Sequence, residues 1–292
     1  MIEGVAMDQL GVTLLLDGDI VAYRAGFAAE KRIYHDDRTH PKDGGASFHL
    51  KKEALIEVPE NHLVWYREAE PVENALHNCS SLIETTIDYA CNYFEVQRET
   101  VNYLTYLTGN AETPNFRTEI DKEYKANRDP NHKPTHLGEI KVYLKAKHNG
   151  YLTEGCEADD FFGQACLTLR SKGLTPVICT IDKDLQQIAG YHYNFTTGTI
   201  TEVSEERAAA VFWRQMLEGD RVDNIFGING IGPVKSNRLI PIGMSNEKAQ
   251  KTVEKAYKDE YKAAWKDRYN NNCDLLWIWR TVPDACPFKT SS

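Results

Sequence analysis

Apolar residues recur at two spacings that divide the chain into strands and helices. VTLLL (12–16) and TPVICTI (175–181) are short, nearly unbroken apolar runs typical of buried strands. VNYLTYLT (101–108) alternates and is β-branched and aromatic, which also predicts a strand. Residues 72–95 place apolar side chains at helical spacing, and 19–29 are predicted as the helix after the first strand. Strands alternating with helices favour a mainly parallel central sheet flanked by helices.

The remaining segments define the organisation of the chain. Ala158 to Leu169 is predicted as an amphipathic helix. YHYNF (191–195) and TITEV (199–203) are predicted as a strand pair, and Ser204 as the N-cap of a helix through Leu217. The polar stretch 31–70 is interpreted as an insertion with weak structure of its own.

Two further regions complete the division into domains. Residues 115–150 are rich in basic residues, His and Asn, and are interrupted by prolines. The last seventy residues are predicted to be mostly helical, with a disordered tail. We predict an α/β core over 1–218 and a C-terminal helical region over 219–292, joined as one continuous structural unit.

Composition limits the possible classes of protein. At 292 residues and 41% hydrophobic content, the chain is long enough for one large or two average domains. Its net charge of −9 and pI of about 5.5 disfavour DNA binding by bulk charge, although acids of a metal site contribute to that charge and basic residues can still cluster. No apolar run approaches the roughly 18 residues of a membrane span, and the N-terminus shows no signal peptide. Seven scattered cysteines without a CxxC pair favour free thiols, so we expect a cytoplasmic protein without a membrane partner.

Carboxylates follow several of the hydrophobic runs. In an α/β sheet, the site lies at the carboxyl ends of the strands, where these acids would repel one another unless cations bind. Two Mg²⁺ or Mn²⁺ ions held this way can activate a water and stabilise a leaving oxygen in phosphodiester hydrolysis. An N-cap or turn role is a reasonable alternative for any single cluster, and is the role expected for Asp19. The predicted metal-binding carboxylates are Asp17, Glu157, Asp159, Asp160, Asp182, Asp184, Asp220 and Asp223.

A glycine-rich turn, GINGIG (227–232), directly follows the last acid pair. Gly227, Gly230 and Gly232 would let backbone amides approach phosphate oxygens without reading the base sequence. Further phosphate contacts are predicted from the start of the next helix, at Lys235, Asn237 and Arg238. The alternative is an ordinary turn between two helices.

With EADD, TIDKD and YKANR, the segment GDRVDNIFGINGIGPVKSNRLI (219–240) resembles the 5′-nuclease family. This family includes flap endonucleases, the 5′-nuclease domain of bacterial DNA polymerase I and phage 5′-exonucleases. The resemblance covers about residues 12–242 and is strongest to the phage enzymes. It implies a PIN-like core with a helical arch, here about 115–150, and a helix–hairpin–helix.

The resemblance also implies roles for individual residues. Arg24 matches a basic residue near the scissile phosphate. Tyr124, Lys125 and Arg128 match the aromatic and basic residues at the base of the family's helical arch, where Tyr124 is expected to stack on a base near the cut. Arg117 matches an arginine expected to contact DNA. The acid that precedes this arginine in the family is replaced by Asn110, which can bind metal through its carbonyl without contributing charge.

The activity implied is 5′→3′ exonuclease with flap or structure-specific endonuclease cleavage, in phage replication, DNA degradation or recombination. Expected partners are DNA with a 5′ end, flap or nick and RNA in RNA–DNA hybrids, and the protein is expected to be a monomer. Two divalent ions are implied at the acids, and K⁺ at the helix–hairpin–helix when DNA is bound.

Two other classes of function compete with this prediction. LLLDGDIV fits the D-x-D-x-[TV] pattern of haloacid-dehalogenase-type phosphatases, with Asp17 as nucleophile and Asp19 as general acid, but this leaves EADD, YKANR and GINGIG unexplained. The second is a nuclease-like scaffold that binds DNA without cutting it, for which the Asn110 substitution gives some grounds.

Overall fold

A six-stranded sheet forms the centre of the computed structural model, which describes residues 11–36, 58–109, 113–129 and 132–290. Its strand order is β5-β4-β1-β6-β7-β8, and all neighbouring pairs are parallel except β7 and β8. This confirms the predicted mainly parallel sheet. The strands are β1 (Val12–Asp17), β4 (Val101–Thr108), β5 (Gly150–Thr153), β6 (Thr175–Thr180), β7 (Gly190–Asn194) and β8 (Thr199–Val203).

Helices cover both faces of this sheet. On one face, the main core joins β1, β4 and β6 to α1, α2 and α4, and on the other face α5 packs against β1 and β6. A second core centres on α6, α8 and α9. Ser204 caps α6 as predicted, because its hydroxyl accepts a hydrogen bond from the Arg207 amide. The helices are α1 (Gly18–Ala28), α2 (Val72–Phe94), α3 (Phe116–Ile120), α4 (Leu137–Lys147), α5 (Asp159–Ser171), α6 (Glu205–Glu218), α7 (Pro233–Leu239), α8 (Asn246–Tyr261) and α9 (Trp265–Leu276). Among the described residues, no helix is both long and apolar enough to cross a membrane.

The insertion predicted to have weak structure contains a regular hairpin. Strands β2 (Glu30–Asp36) and β3 (Leu63–Ala69) pair antiparallel along their full lengths. The expectation is therefore wrong for these strands, while 37–57 lie outside the described residues. The apolar and aromatic run LVWY (63–66) was a strand signal that the surrounding charges obscured.

The segment expected to form a helical arch is largely part of the core. Helix α4 packs against α1 and α2, and Ile140 and Leu144 are fully buried. What remains between α3 and α4 is a run of turns from 121 to 129 and residues 132–136. Among the described residues between α3 and α4, this short stretch alone lies outside the helices, so less chain is available for an arch than the resemblance implied.

The C-terminal stretch is ordered by packing rather than by secondary structure. Trp277 and Ile278 are buried, and Cys286 packs in the second core. The prediction of a disordered tail after the tryptophan-rich stretch is wrong for the described residues up to 290, because Cys286 and Phe288 pack in the second core. A two-residue strand pair, β9 (Gly219–Asp220) and β10 (Ile225–Phe226), holds the last acid cluster near this core.

Candidate active site

Acidic side chains from three parts of the chain line one small cavity at the carboxyl end of the sheet. The cavity has a volume of about 140 Å³. It lies where β6 ends, where α5 begins and where β9 meets β10, so the sheet edge predicted from the sequence is the place where these acids meet. The acids that line it are Glu157, Asp159, Asp182, Asp184, Asp220 and Asp223.

Asp17 lies behind these acids at the end of β1. It is the N-cap of α1, since one carboxylate oxygen accepts from the Ile20 amide at 3.0 Å. The other oxygen accepts from the Thr180 hydroxyl at 2.7 Å, and that hydroxyl oxygen accepts from the Asp182 amide at 2.9 Å. Thr180 therefore links two acid clusters. Its position at the end of β6, two residues before Asp182, was the sequence signal for this role.

Burial and mutual repulsion make these carboxylates hold protons more strongly than free acids do. Burial, with repulsion from Asp19, raises the pKa of Asp17 to about 7. Burial, with repulsion from Asp182 and Asp220, raises the pKa of Asp184 to about 8. The pKa of Asp159 is likewise raised by burial and then by Asp17 and Asp182. The protein alone supplies too little positive charge for these acids, so a cation would be bound favourably.

The carboxylate oxygens of the cavity suit divalent metal ions, although they do not form a complete coordination shell. Across the described ranges, no three His, Cys, Asp or Glu side chains converge into a ready metal site. However, all six cavity acids offer the oxygen ligands that Mg²⁺ and Mn²⁺ prefer. Oδ1 of Asp184 is buried and has no hydrogen-bond partner among the described residues. Such an oxygen is available to a cation or its water shell.

Two basic side chains enter the same cavity. The Lys125 ammonium contacts Oε1 of Glu157 and lies 3.5 Å from Oδ2 of Asp223. The Arg128 guanidinium lies 2.6 Å from Oδ1 of Asp223. The backbone at Lys125 is left-handed, with φ of 57°, and its amide donates to the Asp223 carbonyl. The structure thus brings both predicted basic side chains, Lys125 and Arg128, to the acids, and both contact Asp223.

Tyr124 does not point into solvent as a stacking residue would. Its side chain is 6% exposed and packs in the second core. Its hydroxyl lies 3.2 Å from Glu157 and 3.1 Å from Asp223. The expected base-stacking role does not fit this burial. Tyr124 instead holds two cavity acids in place.

Asp160 and Arg117 form a buried ion pair outside the cavity. Arg117 donates to both Asp160 oxygens, at 2.6 and 2.8 Å, and to the carbonyls of Leu275 and Trp277. Asp160 is fully buried and Arg117 is 3% exposed. The structure therefore corrects two expectations, because Asp160 is already neutralised by a guanidinium and Arg117 cannot reach DNA.

Two other predicted residues lie beside the cavity rather than in it. Arg24 donates to Thr196 and to the Phe195 carbonyl, and it lines a neighbouring groove. Asp19 pairs with Lys141 at 2.6 Å and accepts from the Thr108 amide. The N-cap role expected for Asp19 belongs to Asp17. Asn110 lies outside the described residues.

The glycine-rich turn lies between β10 and α7, with its second half open to solvent. Gly227 is required by packing, because a Cβ there would lie 2.3 Å from the Gly219 amide nitrogen. Gly230 has a φ of 69°, and both it and Gly232 are exposed, with open space where a Cβ would be. The side chains predicted to contact phosphates are also exposed, namely Lys235, Asn237 and Arg238.

Comparison with known proteins agrees with this geometry. Residues 61–214, more than half of the chain, match the family described as 5′-3′ exonuclease, N-terminal resolvase-like domain. The chain belongs to the 5′-3′ exonuclease family. Membership explains the acid clusters and leaves the phosphatase alternative without support, since both Asp17 oxygens also accept hydrogen bonds from the protein.

Individual family members are similar over different lengths. DNA polymerase I of Pseudomonas aeruginosa is 31% identical over 139 residues, which are 42% of this chain and 15% of the polymerase. A 5′-3′ exonuclease of Mycoplasma pneumoniae is 24% identical over 78% of this chain and 70% of its own length. The T5 5′-exonuclease structure with bound zinc has a TM-score of 0.51 at 16% identity, covering 90% of this chain and 89% of that one. This last likeness shows a shared fold.

Proposed function

We propose that this chain is a divalent-metal-dependent nuclease that hydrolyses phosphodiester bonds near DNA 5′ ends. It would act as a 5′→3′ exonuclease and as a flap endonuclease. The observation that carries the proposal is one cavity where six acids meet Lys125 and Arg128 at the carboxyl edge of the sheet. Carboxylates alone would repel a phosphate, and cationic side chains alone could not take a proton from water. The combination supports metal-assisted attack on a phosphodiester.

The six cavity acids would hold the metal, which we propose to be two Mg²⁺ or Mn²⁺ ions. Bound there, such ions supply an activated water and stabilise the leaving oxygen. Lys125 and Arg128 now neutralise Glu157 and Asp223. When cations neutralise those acids, the two basic side chains become available to hold the scissile phosphate and offset its developing charge. Tyr124 keeps Glu157 and Asp223 at a fixed separation during this exchange.

The exposed turn supports a proposal for DNA binding. Gly230 and Gly232 leave the backbone accessible, and Lys235, Asn237 and Arg238 face solvent beside it. We assign contacts with the phosphate backbone of the DNA duplex to these residues. Such contacts do not distinguish one base sequence from another. Binding should weaken with rising salt despite the acidic net charge, because the basic contacts are local. We also propose that the protein acts on RNA in RNA–DNA hybrids and that it is a monomer in the cytoplasm. Its proposed role is in phage DNA replication, degradation or recombination.

Cleavage of a 5′-labelled flap duplex tests the central claim. Wild-type protein in Mg²⁺ should release short 5′ products, and EDTA should stop this release. Asp182→Ala should lower the rate of cleavage at least about a hundredfold while DNA binding persists, because it removes a cavity acid. Asp259→Ala changes the same residue type at an exposed position on α8 and should cleave normally.

The alternatives give different results in this assay. Tight binding without cleavage in either Mg²⁺ or Mn²⁺ would identify a binding protein and refute the nuclease. Release of phosphate from a small phosphomonoester, with the flap left intact, would restore the phosphatase. Normal cleavage by Asp182→Ala would show that the cavity is not the active site.

A further inference from the structure

The β2–β3 hairpin presents aromatic and basic side chains on one face. Arg32 and Arg67 are directly opposite each other, as are Tyr34 and Trp65. Like charges in opposite positions destabilise a strand pair unless something compensates them. Arg67 is compensated by Glu30, 3.7 Å away, and by the Lys133 carbonyl. The guanidinium of Arg32 lies over the Trp65 ring at 5.2 Å, and both side chains are exposed.

This face borders a cavity large enough for a nucleobase or a phosphate. The cavity has a volume of about 270 Å³ and is lined by Phe27, Glu30, Arg32, Arg67 and His132. Arg67 lies over the Phe27 ring at 4.8 Å, and the Phe27 and His132 rings are 5.4 Å apart. Aromatic rings interleaved with guanidinium groups are the composition that binds unpaired bases and their backbone.

A groove extends from this cavity towards the acid cavity. Helix α1 starts at the Asp17 cap, and its Tyr23 and Phe27 line a groove of about 700 Å³ that also reaches Ile181, the residue before Asp182. Phe27 lines both the groove and the hairpin cavity. Ten residues of helix separate Asp17 from Phe27, which is about 15 Å at 1.5 Å per residue. At a stacked spacing of about 3.4 Å this is roughly four nucleotides.

We propose that the Arg32–Trp65 face of the hairpin binds the single-stranded 5′ arm of the DNA substrate. The inference rests on the proposed nuclease function. The glycine-rich turn follows the Asp220/Asp223 side of the acid cavity, whereas the groove begins on the Asp17 side. If the duplex is held at the turn, the single-stranded 5′ arm beyond the scissile bond runs along α1. An unpaired strand fits, because a duplex hides the base faces that Trp65 would contact.

The proposal predicts that binding depends on the length of the arm. Duplexes carrying 5′ arms of one or eight nucleotides are compared by fluorescence anisotropy in EDTA, where no cleavage occurs. Trp65→Ala should raise the Kd for the long arm about tenfold and leave the Kd for the short arm within about twofold. Arg32→Gln should lower the salt dependence of long-arm binding by about one phosphate contact. Tyr66→Ala is the matched control, because Tyr66 is 43% exposed on the opposite face of the hairpin, against 47% for Trp65.

Binding and cleavage are measured separately, so that a failure of this inference can be distinguished from a failure of the proposed nuclease function. Equal losses for both arms, or no loss for either, would overturn the inference even if the wild-type protein cleaves flaps. A Tyr66→Ala variant that matched Trp65→Ala would also overturn it, because the hairpin would then act only through its folding. An arm-length effect confined to Trp65 and Arg32 would support the inference even if no substrate were cleaved.

Discussion

Replacing Arg117 by leucine tests whether Asp160 is structural or catalytic. The substitution removes a bidentate partner and leaves a fully buried carboxylate uncompensated, which costs about 3–5 kcal/mol. The carbonyls of Leu275 and Trp277 also lose their donor, at roughly 1 kcal/mol or more each. We therefore expect Arg117→Leu to lower the free energy of unfolding by at least about 4 kcal/mol. This is a large share of the roughly 5–15 kcal/mol typical of a folded protein.

Urea unfolding in EDTA, with cleavage measured separately in Mg²⁺, provides the comparison. Asp160→Asn should destabilise the protein, because neutral Asn pairs poorly with a buried guanidinium. Asp159→Asn is the matched control one residue away, since Asp159 lines the acid cavity and is raised in pKa by its neighbours. It should leave stability unchanged or higher while abolishing cleavage. The double variant Arg117→Leu/Asp160→Leu should regain most of the stability lost in Arg117→Leu, because both charges are then gone.

One outcome would refute this structural role. If Asp160→Asn kept the wild-type free energy of unfolding to within about 0.5 kcal/mol and still abolished cleavage, Asp160 would act at the metal site. The buried pair would then be broken in the active protein.

The remaining predictions concern the cavity and the turn. Lys125→Ala should lower kcat by roughly a hundredfold with a smaller change in KM, measured on a flap substrate, and a change in KM alone would make Lys125 a binding residue. The raised pKa values of Asp17 and Asp184 mean that the folded metal-free protein binds more protons than the unfolded chain, so its Tm should fall as the pH rises from about 4 to about 8. Added Mg²⁺ should raise the Tm more at pH 8 than at pH 6, and an equal gain at both would contradict metal binding by these acids. Gly227→Ala should destabilise by about 1–3 kcal/mol in urea unfolding through backbone overlap, whereas Gly232→Ala, with open space around it, should change stability little.

The sheet and the meeting of the acids could be predicted because they depend on local patterns. Apolar runs gave β1 and β6, and acids placed directly after them had to share an edge in a parallel sheet. Pairing between distant residues left no such local trace. Asp160 has the same sequence context as Asp159, but it pairs with Arg117, 43 residues away, and does not line the cavity.

The errors at the hairpin and at Tyr124 have the same origin. Strands β2 and β3 carry charged residues on both faces and are stabilised by cross-strand partners such as Trp65. The family resemblance likewise implied an arch in the basic segment 115–150, but burial of Ile140 places α4 in the core. Tyr124 was assigned by its motif, whereas its exposure depends on the helices that surround it.

The floor of the acid cavity has a consequence for biosynthesis. Leu275, Leu276 and Ile278 line the cavity, and the carbonyls of Leu275 and Trp277 hold Arg117. A nascent chain that has emerged from the ribosome only as far as α6 carries most of the acids but lacks this floor. The acid cavity is therefore completed only after residue 278 has been translated and has folded back. Incomplete chains should be inactive, which would protect nucleic acids near the ribosome from a partly synthesised nuclease.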